Sequence, residues 1–256
     1  MVYKKTAAAI RNLRQARRIA LVSVGVALFA SPALSEDQVL RIAMTASDIP
    51  LTTGQPDSGF EGYRFLGYTV YDALINWDMS SAEEVSGLTP GLAESWEVDA
   101  EDSRVWVFNL REGVTFHDGS EWNADAAIWN LDKIYDEDAA QFDARQAGNV
   151  RGRIPSMDGY EKVDDYTIQF TTSAPDAWFP YQLSFLLFSS PAQWEALGGD
   201  WDAFASEPSG TGPFKLTRLV PRERAILEPN LEYWDEDRVP RLTRVELIPM
   251  PESSSR

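Results

Sequence analysis

The sequence contains no cysteine and only one histidine in 256 residues. Without thiols the chain has no disulfide framework, no zinc ribbon, no thiolate nucleophile and no cysteine to carry a lipid anchor. A single imidazole also argues against a histidine-based triad or a histidine-rich metal cage. The composition therefore predicts no catalytic residues, no metal site and no cofactor.

Basic residues are also scarce, since 23 lysines and arginines face 40 aspartates and glutamates and leave a net charge of −17. A surface this acidic repels phosphate backbones, so we expect no nucleic-acid partner. The apolar fraction of 44% is that of a globular chain with a sizeable core, which excludes fibrous and wholly disordered classes.

The first 35 residues lack aspartate and glutamate and carry six of the basic residues. The basic stretch is followed by an apolar run at 19–30 and then by small residues at Ala33 and Ser35. This order predicts a secretory signal peptide over residues 1–35, because the apolar run is too short to span a bilayer as a helix. Loss of six basic residues would change the net charge from −17 to −23. We therefore expect a periplasmic protein, not inserted in the membrane after cleavage and without a lipid anchor.

The rest of the chain mixes strand and helix patterns, which predicts a mixed α/β class. Alternating apolar residues predict strands at 40–45, 96–98, 104–110, 160–163, 166–172, 214–220, 224–227 and 245–248. Helical spacing, with Asn123 as an N-cap, predicts a helix to about Tyr135. Further helical segments are expected at 65–75, 89–93 and 175–187, and an irregular segment at 139–160.

Two segments invite a chemical interpretation that the residues do not support. The only histidine, His117, stands beside Asp118 and Gly119, and the pair supplies at most two metal ligands. We expect a structural tight turn there, in which the glycine accepts a positive φ. The segment 210–213 (GTGP) lacks the lysine of a phosphate loop and precedes a strand, so it is interpreted as a rigid turn.

A few aromatic and cationic residues are better candidates for a ligand site. Trp178, Tyr181 and Phe185 lie where alternation is weak, and small-molecule sites are mostly apolar and aromatic. Arg153 follows Arg151 in the irregular segment and is a candidate for holding an anionic group, with a surface ion pair as the alternative.

Five segments, in their order along the chain, resemble one family: the solute-binding proteins of bacterial ABC importers. The closest group is family 5, which binds dipeptides, oligopeptides, nickel complexes and some oligosaccharides. The segments that carry the resemblance are TPGLAESW at 89–96, WVFNLREGVTFHDG at 106–119, NAD at 123–125, GTGPF at 210–214 and NLEYW at 230–234.

The resemblance implies a two-lobed α/β protein of about twice this length that closes on a ligand and delivers it to a membrane permease. Residues 36–256 would be the first, incomplete lobe of a periplasmic-binding-protein-like fold, truncated before the second lobe, which is expected beyond Arg256. The implied partners are a small-molecule ligand (peptide, oligosaccharide or metal chelate) and ABC-transporter permease subunits. The resemblance places these residues in the ligand cleft: Asp48, Thr52, Gln55, Ser184 and Phe185.

The leading interpretation is therefore a periplasmic solute-binding component of an ABC importer, without catalysis, that captures peptide-like or other small polar solutes. One alternative is an exported carbohydrate-active enzyme, which would need two carboxylates facing each other across a cleft. Another is a truncated binding protein without function, which would expose apolar surface where the second lobe should dock.

Overall fold

The computed structural model describes residues 38–44 and 66–250. Within these ranges no helix is long and apolar enough to cross a membrane. The strands are β1 (Val39–Met44), β2 (Ile75–Trp77), β3 (Leu88–Pro90), β4 (Ala93–Val98), β5 (Val105–Leu110), β6 (Met157–Asp164), β7 (Thr167–Thr172), β8 (Phe214–Val220), β9 (Arg224–Pro229) and β10 (Arg244–Pro249). The helices are α1 (Tyr68–Val70), α2 (Ala124–Tyr135), α3 (Ala144–Arg151), α4 (Phe179–Gln182), α5 (Pro191–Ala196) and α6 (Trp201–Ser206).

The strands form two four-stranded sheets and one two-stranded pair. The first sheet has the order β1-β10-β9-β8, with β1 parallel to β10 and the other neighbours antiparallel. We call it the mixed sheet. The second has the order β4-β5-β7-β6, is antiparallel throughout and is called the hairpin sheet. Strands β2 and β3 pair with each other alone.

One core lies between the hairpin sheet and helix α2. Alternate residues of β5 and β7 point inward, so Phe108 and Phe170 are fully buried and meet edge to face at 5.3 Å between ring centroids. Helix α2 adds Leu131 to this core, and it begins where the Asn123 side chain accepts a hydrogen bond from the Ala126 backbone N–H at 3.0 Å. The hairpins and the helix predicted for this region are confirmed.

A second core lies on the mixed sheet. Ala225 and Leu227 of β9 and Val245 and Leu247 of β10 are buried there, together with Phe204 of α6. Because the sheet joins β1 to strands from the other end of the described chain, this core depends on contacts between residues about 200 positions apart.

Three local predictions were wrong. The helix expected at 65–75 is reduced to α1, and the chain then extends into β2, because residues 70–75 are buried on every side instead of along one stripe. The helical turn expected at 89–93 is instead the end of β3 and the start of β4. Gly91 lies between them, where a Cβ atom would be 2.4 Å from the Ala73 carbonyl oxygen. The segment at 139–160, expected to be irregular, contains α3 and the start of β6.

The carboxylate of Asp72 joins three distant parts of the chain. One oxygen accepts hydrogen bonds from the Thr211 hydroxyl and the Trp234 indole N–H, both at 2.9 Å, and the other accepts from the Tyr233 hydroxyl at 3.0 Å. The side chain is buried, and burial raises the pKa of Asp72 above its usual value, whereas the three donors act in the opposite direction. The segment GTGPF at 210–214, the segment NLEYW at 230–234 and the residues that follow α1 therefore meet at the Asp72 side chain.

The rigid turn predicted at 210–213 packs directly on the backbone next to Asp72. A Cβ atom would lie 2.2 Å from the Val70 carbonyl oxygen at Gly210 and 2.5 Å from the Val70 carbonyl carbon at Gly212, so only glycine permits this approach. His117 closes the other side of the turn, because its Nε2 lies 2.9 Å from the Gly212 carbonyl oxygen. Gly119, in the tight turn predicted after His117, has a positive φ of 88°, which confirms that prediction.

The Asp72 network predicts different effects for two substitutions. In Asp72→Asn the amide oxygen can still accept from Thr211 and Trp234, but the amide nitrogen is a donor and cannot accept from the Tyr233 hydroxyl. One buried donor loses its acceptor, so we expect the free energy of unfolding to fall by about 1 kcal/mol for Asp72→Asn. We expect it to fall by about 2–4 kcal/mol for Asp72→Ala, which leaves buried donors without an acceptor. Urea unfolding followed by far-UV circular dichroism measures both, and equal losses would mean that the charge itself is required.

His117 predicts an acid-sensitive stability. Burial lowers the pKa of His117 to about 4, whereas an unfolded histidine titrates near its ordinary value of about 6.5. Because the unfolded chain takes up the proton first, the contribution of His117 is complete above about pH 6.5 and is lost as the pH falls towards 4. The loss approaches about 3 kcal/mol. His117→Gln can still donate to the Gly212 carbonyl, so its unfolding free energy should fall less over pH 4–7 than that of the unsubstituted chain. If both chains lose the same unfolding free energy between pH 7 and pH 4, the acid sensitivity does not come from His117.

Candidate functional site

A cavity of about 340 Å³ lies beside Asp72, between α1, β2 and the turns that follow α4 and Trp234. This size is at the small end of the range of about 300–1,000 Å³ that is typical of small-molecule sites. Half of the lining side chains are aromatic or apolar and half are polar or charged: Tyr68, Tyr71, Trp77 and Met79, and Asp72, Asn76, Ser184 and Arg238.

Ser184 holds two of the aromatic walls in place. Its hydroxyl accepts a hydrogen bond from the Trp77 indole N–H at 3.0 Å and donates one to the Tyr181 carbonyl oxygen at 2.8 Å. The Tyr68 hydroxyl donates to the Ser184 carbonyl oxygen at 3.3 Å. Burial raises the pKa of Tyr68 to about 12, so its hydroxyl stays protonated and remains a donor at neutral pH.

A row of aromatic rings leads from the cavity to the surface. The Trp77 and Tyr181 ring centroids are 5.4 Å apart, and those of Tyr181 and Trp178 are 4.8 Å apart, all in tilted arrangements. Trp178 at the outer end is 66% exposed and Trp77 at the cavity is 38% exposed. Rings that remain accessible in this way can pack against an apolar ligand group.

The structure brings three of the residues predicted for the site together. Ser184 lines the cavity, and Phe185 follows it in the same turn. The Arg153 guanidinium carbon lies 5.6 Å from the Phe185 ring centroid, and the positive charge of Arg153 favours the ionised form of Tyr68. Trp178 lies farther out, at the end of the aromatic row. The predicted residues Asp48, Thr52 and Gln55 lie outside the described residues.

Several lining residues were not predicted from the sequence. Asp72 could have been found, because it is the only charged side chain between Gly67 and Asn76, within the apolar run 70–75, where a carboxylate is buried with partners or serves a function. Arg238 carried no such signal, since it lies in an exposed acidic turn more than 160 residues away. Hydrogen bonds from Tyr233 and Trp234 to Asp72, together with one from Asn230 to the Gly212 carbonyl oxygen, hold the segment before that turn beside the cavity.

The arrangement is suited to binding and offers few groups for chemistry. Asp72 is the only carboxylate that lines the cavity among the described residues, and both of its oxygens already accept hydrogen bonds. Over the same residues no group of three or more histidine, cysteine, aspartate or glutamate side chains could hold a metal ion. The cavity can exclude water around an apolar ligand group and orient it through a few polar contacts.

Comparison with known proteins connects this lobe to one family. The family model described as bacterial extracellular solute-binding proteins, family 5 Middle, matches residues 87–256. The chain is 29% identical over 229 residues to di/tripeptide-binding protein 2 of Pseudomonas aeruginosa. This match covers 80% of this chain and 41% of that protein.

Two solved structures have the same architecture. A dipeptide-binding protein from Pseudoalteromonas sp. SM9913 in complex with Met-Leu superposes with a TM-score of 0.71 at 21% identity, covering 85% of this chain and 44% of that one. The periplasmic binding protein DppA from Helicobacter pylori in complex with the peptide STSA superposes with a TM-score of 0.68 at 27% identity, covering 85% and 43%.

The chain spans less than half the length of each of these proteins, between 41% and 44%. Its mixed α/β architecture is that of the periplasmic binding proteins, as the sequence predicted. The family model covers well over half of the chain, and residues 87–256 include all five segments that carry the resemblance. The chain therefore belongs to the bacterial extracellular solute-binding proteins of family 5.

Proposed function

We propose that this chain is a ligand-binding lobe of a periplasmic solute-binding protein that serves an ABC importer, and that its solute is peptide-like. The observation that carries the proposal is the aromatic cavity beside Asp72, in a member of a family of solute-binding proteins. The choice of a peptide-like solute is supported by the relatives, whose names describe binding of dipeptides and tripeptides.

The proposed ligand contacts are those that surround the cavity. Ser184, Phe185 and Arg153 lie together around Tyr68, and Trp178 offers an exposed ring at the end of the aromatic row. Asp48, Thr52 and Gln55, which follow β1 in the sequence, are proposed as further contacts. In the proposed mechanism the ligand binds this face and a second lobe closes over it, so that contacts to both lobes stabilise the closed form.

We propose no catalytic activity for this chain. Hydrolysis of a glycoside needs two carboxyl groups about 5–10 Å apart across the substrate. The cavity contributes one among the described residues, and Thr211, Tyr233 and Trp234 already donate to it. A binding role needs only the shape of the cavity and the few polar groups that line it.

We further propose that residues 1–35 are a signal peptide that directs the protein to the periplasm. The basic stretch, the apolar run at 19–30 and the small residues at Ala33 and Ser35 support this proposal. Delivery to membrane permease subunits would then take place from that compartment.

The proposed function predicts that peptides stabilise the folded chain. At a ligand concentration of 100 times Kd, binding to the native state alone adds about 2.7 kcal/mol to the free energy of unfolding. For a chain of this size the melting temperature should rise by about 5–10 °C. A thermal-shift screen of the purified chain against dipeptides and tripeptides, with oligosaccharides and metal chelates as comparison classes, measures this. Stabilisation by another class alone would overturn the peptide assignment, and no stabilisation by any class would overturn the function.

A matched pair of serine variants connects the screen to the cavity. Ser184→Ala removes the acceptor of the Trp77 indole N–H, so Kd for the best peptide should rise about tenfold. Ser95→Ala, on the exposed side of the hairpin sheet, removes an acceptor of the same type from the Asn109 amide and should leave Kd unchanged. Isothermal titration calorimetry compares the two, and equal Kd values would place the ligand elsewhere.

Export makes a separate prediction. When the full chain is expressed with a functional secretion system, the periplasmic form should begin at Glu36, as read by N-terminal sequencing. Ala33→Arg should block cleavage, because a bulky cation replaces a required small side chain, and the precursor should then stay with the membrane. Ala30→Ser, a small residue for a small residue, is the control. A processed Ala33→Arg variant would contradict the cleavage site.

A further inference from the structure

The aromatic and apolar side chains that line the cavity differ in exposure. Tyr71 is almost fully buried and forms part of the floor, Trp77 is partly exposed, and Met79 is 78% exposed near the opening. A methionine side chain adapts its shape to what it contacts, and a tryptophan ring offers a flat face. This part of the cavity therefore suits a compact apolar group, and an aromatic ring best of all.

The hydrogen-bonding groups of the cavity are mostly occupied by the protein itself. Both Asp72 oxygens accept hydrogen bonds, and the Ser184 hydroxyl both accepts and donates. The Asn76 side chain reaches the cavity wall, but its Nδ2 is closed off from solvent where it packs against Gly91, so a ligand in the cavity does not contact that donor.

Arg238 supplies the positive charge of the cavity. Its guanidinium nitrogen is 3.9 Å from the Asp235 carboxylate, which is too long for a hydrogen bond, and half of its side chain is exposed. The guanidinium therefore keeps donors that can bind a planar anion in a two-pronged geometry. Trp77 and Arg238 line the same cavity.

We propose that this cavity selects a ligand that carries both an apolar, preferably aromatic, group and a carboxylate, with the ring against Trp77 and the carboxylate bound by Arg238. The inference rests on the proposed function and narrows it to solutes such as a short peptide with an aromatic C-terminal residue. A ligand ammonium group would meet the positive charge of Arg238 in the same cavity, and both oxygens of the only carboxylate in the described lining already accept hydrogen bonds from the protein.

The test uses two small probes of nearly the same shape, phenylacetate and its uncharged amide, phenylacetamide. Calorimetry on the purified full chain should show phenylacetate binding at least tenfold more tightly than phenylacetamide. Arg238→Gln should reduce the affinity for phenylacetate to that for phenylacetamide. Arg241→Gln, an exposed arginine in the same segment that does not line the cavity, should change neither. Equal affinities for the two probes, or no effect of Arg238→Gln, would overturn the inference.

Two further variants separate the ring from the anion. Trp77→Ala should weaken both probes by a similar factor, since it removes the ring surface, whereas Arg238→Gln should weaken phenylacetate alone. Trp77→Phe keeps a ring and guards against a folding defect, because it should retain most of the affinity. Unchanged binding of both probes by Trp77→Ala would place them outside the cavity and contradict the inference.

Peptide pairs distinguish this inference from the proposed function. Ala-Phe should bind more tightly than its C-terminal amide, and more tightly than Ala-Ala. If all three bind equally, peptide binding stands and the selectivity assigned to the cavity fails. If no peptide binds while phenylacetate retains its dependence on Arg238, the peptide-binding function fails and the chemistry of the cavity stands.

Discussion

The buried carboxylate of Asp72 is the interaction on which the rest of this lobe depends. A carboxylate removed from water is costly unless donors surround it, and here Thr211, Tyr233 and Trp234 supply them. Each donor comes from a segment about 140 to 160 residues away, so satisfying one side chain holds the glycine turn and the Tyr233–Trp234 segment against the residues that follow α1. The close contacts of Gly210 and Gly212 with Val70 are possible only in that position.

The cavity is a direct product of this arrangement. Tyr71 and Asp72 form its inner side, and the segment fixed by Tyr233 and Trp234 brings Arg238 to its edge. Trp77 and Ser184 close the remaining side through one hydrogen bond. The groups that stabilise the lobe therefore also shape the cavity that we propose as its ligand site, so the positions that should matter most for stability and for the proposed binding are neighbours. This is the expected design for a protein that must hold a preformed site on a rigid scaffold.

Sequence reasoning succeeded where the local pattern and the tertiary environment agree. The alternation of apolar and polar residues in β5 and β7 indicates one buried face, which the structure has. Asn123 indicates the start of α2, because it caps that helix. It failed where burial is two-sided. The apolar residues at 70–75 were interpreted as a helix, but a segment buried on every side carries no periodicity that could distinguish a helix from an extended chain. Ser184 and Arg153 could be proposed for the site, whereas Arg238 could not, because nothing near it in sequence indicates the cavity.

The sequence by itself determined the class of this protein: an acidic, cysteine-free member of the family 5 solute-binding proteins, with its main hairpins and one capped helix. These properties follow from the composition, from short periodic patterns and from the order of five segments. All of these can be recognised without knowing which distant residues meet in the fold. Only the tertiary structure decided which side chains meet at Asp72 and which of them line the cavity. The physical reason is that a buried charge selects its donors by distance in space, and the distances that matter here join residues more than 130 positions apart.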